Sequence, residues 1–185
     1  MLVAQWAGQP ATKTDFAYHR FLATELVDTT AILAAADATV ASTVAYTCPE
    51  TARCLTVDIT GSAEVGTVVI VGTGGDGKPL TVTEDVTGNA GPVNIEAAFW
   101  TVESVTPVGF TGGVMDVGIQ DKFGLPFACV IGKCVMVALS NKANDSGGIV
   151  YGLDTAGILD PNGLWKPATW AGTAIFEIVY LATEI

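Results

Sequence analysis

From Leu55 onward the chain is written in short β-type segments separated by glycine, and no long helical period interrupts them. LTVDIT (Leu55–Thr60), VGTVVIV (Val65–Val71), LTVTEDV (Leu80–Val86) and FWTVESV (Phe99–Val105) are rich in Val, Thr, Ile or aromatics and partly alternating, as half-buried strands require. Between them lie GTGGDGKP (Gly72–Pro79), GNAGP (Gly88–Pro92) and TGG (Thr111–Gly113), turn clusters in which glycine accepts positive φ at little steric cost. Segments separated in this way most simply form antiparallel hairpins. The pattern continues through Val114–Ile119, Phe127–Leu139 and TAIFEIVYL (Thr173–Leu181), with a loop-rich stretch, Ser140–Ala171, that holds NDSGG, DPNG, Trp165 and Trp170. Some eight short strands with little amphipathic helix predict an all-β domain. The expected form is an antiparallel β-sandwich, jelly-roll or immunoglobulin-like, or a closely related barrel.

The first part of the chain differs in character. A length of 185 residues suits one domain with appendages, here an N-terminal arm and first strands over residues 1–47 and the sandwich over 48–185. Met1–Thr14 has no clear period, contains Trp6, Gly8 and Pro10, and is followed by a second aromatic residue, Phe16. Such a segment is suited either to lying across a neighbouring subunit as an extended arm or to folding back on its own domain. Ile32–Ala41 (ILAAADATVA) is rich in alanine, the best helix former, and favours a short helix before Ser42, Thr43 and Val44 return the preference to strand.

Half of the residues are hydrophobic, 15% are charged and the mean hydropathy is +0.47. No run of about 18 apolar residues occurs, so no membrane-spanning helix is expected and the apolar excess must be buried in a sheet core or against partners. Lys13 is the first basic residue, so the charged start of a secretory signal is missing and synthesis in the cytoplasm is expected. Cys48, Cys54, Cys129 and Cys134 then meet a reducing environment and read as packed thiols. A net charge of −11 repels nucleic acid and argues against a phosphate-tracking role.

Little in the sequence builds a catalytic constellation. His19 is the single histidine, and no H-E-x-x-H, G-x-S-x-G or paired C-x-x-C is present. Gly72–Lys78 satisfies the opening of a phosphate loop, but Pro79 stands where a magnesium-holding Ser or Thr is required and a strand follows, so the hairpin-turn reading prevails. The cysteine spacings match no common zinc site, and Asp58, Glu64, Asp76, Glu84, Asp85 and Asp121 show no calcium-loop spacing. NDS at Asn144–Ser146 matches a glycosylation acceptor without the secretory signal that would give it meaning. The expectation is a non-enzymatic protein with no cofactor, no metal and no nucleic-acid or membrane partner.

Four segments in order, RCLTVDITG (Arg53–Gly61), VVIVGTGGDGKPLTVTEDV (Val68–Val86), AFWTVESVTP (Ala98–Pro107) and VMDVGIQDKFGLPF (Val114–Phe127), resemble a group of small all-β bacteriophage virion proteins. The last is the most specific: it is similar to the group's VGxGDKxGLP segment, with Gln120 where glycine is more usual and Gly124 and Pro126 marking a turn. The resemblance covers roughly the C-terminal two-thirds of the chain and leaves the arm out. It implies a structural role in the virion, on the outer capsid surface as a decoration or cement protein, with the major capsid protein as partner and self-association, a trimer first. An acidic subunit is also better placed outside a shell packed with polyanionic genome than inside it. On that reading the aromatic residues Trp6, Phe16, Tyr18, Phe21, Trp165 and Trp170 are the candidate capsid or subunit contacts, the alternative for the tryptophans being to cap the sandwich core. Two other roles compete: a tail or neck component, and a host-glycan-binding sandwich with Trp165 and Trp170 as an exposed coplanar platform.

Overall fold

The computed structural model describes residues 14–24, 27–61, 65–88, 91–126, 135–141, 143–150, 153–154, 157–158, 163–168, 170 and 173–183. Among these residues the chain forms fifteen strands and no helix. They are β1 (Thr14–Ala23), β2 (Asp28–Asp37), β3 (Ser42–Thr47), β4 (Arg53–Thr60), β5 (Thr67–Gly74), β6 (Pro79–Asp85), β7 (Val93–Val108) and β8 (Val114–Gly124), then β9 (Val135–Ser140) and β10 (Ala143–Asn144). The short pieces β11 (Gly148–Val150), β12 (Leu153–Asp154), β13 (Gly157–Ile158) and β14 (Leu164–Lys166) follow, and β15 (Ala174–Thr183) closes the order. Every pairing among them is antiparallel.

A nine-stranded sheet runs β11-β14-β8-β4-β7-β5-β6, with β2 on β8 and β3 on β7; a four-stranded sheet runs β1-β15-β9-β10; β12 and β13 form a separate ribbon. The long strand β7 organises the first. Its opening half pairs with β4 (Val57↔Val93 to Arg53↔Phe99), and its second half pairs with β5 (Gly74↔Phe99 to Thr67↔Val108) and β3. One strand thus belongs to both layers, and breaks in its ladders between Cys54 and Leu55, Val71 and Gly72, and Thr73 and Gly74 supply the local bending that bulges give. The main core lies between these layers: Leu55, Val57 and Ile59 from β4, Val68 and Ile70 from β5, Ile95, Phe99, Val102 and Val105 from β7, and Met115, Val117 and Ile119 from β8. A second core joins the two sheets, with Phe21 of β1 and Phe176, Ile178 and Tyr180 of β15 meeting Phe123, Leu125 and Trp165. The result is an all-β, sandwich-like antiparallel architecture, as the alternating segments predict.

The expected helix at Ile32–Ala41 is absent: residues 28–37 form β2, laid along β8 with two register shifts. Alanine's helix preference amounts to at most about 1 kcal/mol per residue. Against it stand the ladder to β8, the packing of Ile32 and Leu33 on the main core, and the Ala35 N–H donated to Asp116 Oδ1 at 2.6 Å from a left-handed φ of 51°. From Thr14 the N-terminal segment is built into the sheets, β1 pairing with β15 over ten residues; the rest of the arm, Trp6 included, lies outside the described residues. Of the predicted segment Phe127–Leu139, residues 135–139 belong to β9, and 127–134, with Cys129 and Cys134, lie outside the described residues.

Candidate functional site

The most distinctive sequence segment, Val117–Pro126, occupies the end of β8, and its residues are accounted for one by one by packing. A Cβ on Gly118 would stand 2.0 Å from the Asp28 carbonyl oxygen, so β2 can cross there only over glycine. A Cβ on Gly124 would stand 2.6 Å from that of Ala98 and 3.1 Å from that of Ala52. Gln120, buried, donates its side-chain amide to the Leu55 carbonyl, and its own carbonyl accepts from Arg53 Nε at 2.9 Å and from Arg53 Nη2. Lys122 pairs with Glu96 of β7, reaching across the intervening strand β4.

Arg53 is fully buried at the start of β4, with its guanidinium 5.1 Å from the Phe123 ring centroid and 4.9 Å from that of Trp170. The aromatic group continues through Phe123–Phe21 at 4.8 Å and Phe123–Phe176 at 5.6 Å. A charged fork held between ring faces and a backbone carbonyl joins the two cores without a solvent-exposed face. His19 lies beside it, 4.9 Å from the Phe21 ring, sharing a 3.3 Å hydrogen bond between its Nε2 and the Thr51 hydroxyl. Burial drives the imidazole pKa down to about 4, so it is neutral at pH 7. Thr51 is itself buried and His19 is half-buried beside it. Cys48 donates its thiol to the Phe99 carbonyl at 3.3 Å, and burial pushes its pKa up to about 11, leaving it the inert protonated form.

The candidate contact residues separate into distinct environments. Trp165 is 0% exposed and Phe21 6%, both within the second core, and Trp170 is partly buried against Phe123 and Arg53. Trp165 and Trp170 therefore cap the core and do not form an exposed coplanar pair for a sugar ring to stack on. Tyr18 is well exposed, at 55%, with its hydroxyl donated to Glu177 Oε1 at 2.8 Å. Phe16 is placed in β1 opposite Leu181.

A different surface gathers exposed apolar side chains, and no aromatic signal pointed to it. Val40, Val65, Val108 and Val114 are all large and exposed, and all sit at the end of the sandwich where β2–β3, β4–β5 and β7–β8 are joined. The connections are tied together: Ala38 N–H donates to the Gly113 carbonyl at 3.1 Å, Val86 N–H to the Gly66 carbonyl at 3.1 Å, and Thr60 and Asp37 both pair with Val114. Between Phe21 and Asp121 the only cationic residues are Arg53, at the opposite end of β4, and Lys78, in the β5–β6 turn at the far end of those strands. The valine-tipped end is therefore apolar and anionic. Its loops are stiffened by a repeated Asp-x-Thr turn, in which Asp37 accepts from Thr39 and Asp85 from Thr87; Asp28 and Thr30 repeat it at the start of β2. Those hydrogen bonds, from hydroxyl and N–H, hold the Asp28, Asp37 and Asp85 carboxyls below the usual aspartate range.

Among the described residues no group of three or more His, Cys, Asp and Glu side chains is placed to hold a metal ion. The chain matches no protein-family model, no curated protein and no solved structure.

Proposed function

We propose that this chain is a structural protein of a bacteriophage particle that attaches to the outer capsid surface and strengthens the shell. The observation that carries the reading is the segregated loop end, where Val40, Val65, Val108 and Val114 stand exposed on tied loops that carry no cationic side chain among the described residues. An apolar tip ringed by carboxylates suits docking into apolar depressions of a basic protein surface, and many copies on a symmetric lattice add modest contacts into a large total. Support comes also from the motif resemblance over Arg53–Phe127, whose segments make up the body of the nine-stranded sheet from β4 to β8. Tight internal packing of the Val117–Pro126 segment suits a role in which the domain bears load rather than turns over a substrate.

The test is cryo-electron microscopy of particles from the phage that encodes the chain, with copy number as the readout. Hundreds of copies on the outer shell, loop end inward, are expected. Six to about a dozen copies at one vertex would assign the chain to the neck or tail, and absence from the particle would overturn a virion role. A Val65→Asp, Val108→Asp double variant should fold normally and lose shell occupancy.

A further inference from the structure

We infer that β1 is a self-pairing edge, through which two copies of this chain join their four-stranded sheets into one continuous antiparallel sheet. β1 occupies the end of the order β1-β15-β9-β10, and among the described residues no strand pairs with its other side. It is ten residues long, and its ladder to β15 runs from Thr14↔Thr183 to Ala23↔Ala174 without a register shift. Isolated folded proteins blunt such an edge with proline, lysine, a bulge or extreme shortness. The other edges here carry these devices. β10 has two residues and β11 three, β6 begins at Pro79, and the ladders of β2 and β3 are broken by register shifts. TDFAYHRFLA has no proline, lysine or bulge, and of its charges Arg20 is drawn back to Glu177 on β15.

The occupant is a second copy because the strand is complementary to itself. An antiparallel two-fold pairing centred on His19 sets Tyr18 of one copy opposite Arg20 of the other, Phe16 opposite Leu22, and Ala17 opposite Phe21. Those pairs place a cation beside a phenol ring, apolar beside apolar, and small beside large. Moving the centre by one residue toward Arg20 would set two arginines face to face, and moving it the other way would set Asp15 opposite the buried Phe21. The side chains that the pairing would cover are also the ones left open: Tyr18 is 55% and Leu22 48% exposed, and Arg20 reaches Glu177 at 3.5 Å across an exposed ion pair. The pairing is isologous and closes on itself, so it gives a dimer in place of the trimer expected from the sequence. It leaves the valine-tipped end of each copy available and does not depend on what that end binds.

The experiment is sedimentation equilibrium of the purified full chain, combined with hydrogen–deuterium exchange of β1 amides at two concentrations. The expected mass is twice the 19.0 kDa of one chain, with β1 exchange slowing as concentration rises. Tyr18→Lys, which sets a second cation against Arg20 across the seam, should give a monomer with unchanged circular dichroism and fast β1 exchange. Val65→Lys, an exposed site at the loop end, should leave the dimer intact. A wild-type monomer or trimer, or a dimer that survives Tyr18→Lys with β1 exchange independent of concentration, would overturn the inference.

Discussion

Lowering the pH from 7.5 to 5 should weaken this protein through one residue, the single histidine of the chain. His19 is neutral in the folded state because burial against Phe21 and the Thr51 hydroxyl brings its pKa down from 6.5 to about 4. The unfolded chain titrates near 6.5, so between the two values the unfolded state binds a proton that the folded state refuses. Stability is therefore fully present above pH 6.5 and is lost as pH falls toward 4. At 1.36 kcal/mol per unit, the loss is about 2 kcal/mol by pH 5 and about 3 kcal/mol at the lower limit. A lone imidazole makes the assay direct: its ring proton signal in NMR can be followed without assignment, and urea unfolding at pH 7.5 and 5 reads the free energy. His19→Gln, which retains a hydrogen-bonding group toward Thr51, should remove most of the difference between the two pH values. An imidazole signal titrating near 6.5, or the same pH 5 loss in the variant, would refute the argument.

Further outcomes follow from the buried groups and the turns. Arg53→Ala should cost about 3 kcal/mol or more, since it leaves the Gln120 carbonyl without its charged donor and empties space between Phe123 and Trp170; chemical denaturation measures it. Gly118→Val should prevent β2 from seating on β8, seen as a large drop in melting temperature, whereas Gly112→Ala, with open space around the added carbon, should be nearly silent. Cys48 should resist iodoacetamide at pH 8 in the native protein and react once urea unfolds it, as peptide mass mapping will report. The aspartate turns contribute stability above the unfolded carboxyl range and lose it as pH falls through their depressed folded values. Asp37→Asn should thus reduce the drop in melting temperature between pH 5 and pH 3.

Much of the fold was legible because β-strand alternation and glycine punctuation are local signals. Leu55–Thr60, Leu80–Val86, Val114–Ile119 and the closing segment all fall in strands at nearly the expected bounds, and the Gly72–Lys78 match to a phosphate loop is the end of β5 and a hairpin turn into β6. Ile32–Ala41 misled because alanine's intrinsic preference is small beside a ladder supplied by β8, a strand far along the chain, with Ala35 and Asp116 81 residues apart. For Phe21, Trp165 and Trp170 the alternative of core packing applies, for a related reason. A large ring serves a core as well as an interface, and the sequence does not record that Trp165 and Trp170 return to cover Arg53 and Phe123.

What the sequence determined by itself is the class of the protein: its periodicity admits strands, its glycines admit tight turns, and its charge disfavours a nucleic-acid partner. What only the tertiary structure decided is which side of each strand meets which neighbour. The corner that lets β7 serve two layers, the burial of a guanidinium between rings, the gathering of four valines at one end, and the open edge of β1 all come from pairings between distant segments. Alternation fixes two faces per strand, but the choice between core and surface is made by the contact that buries more apolar area, and that contact exists only once the sheets have met.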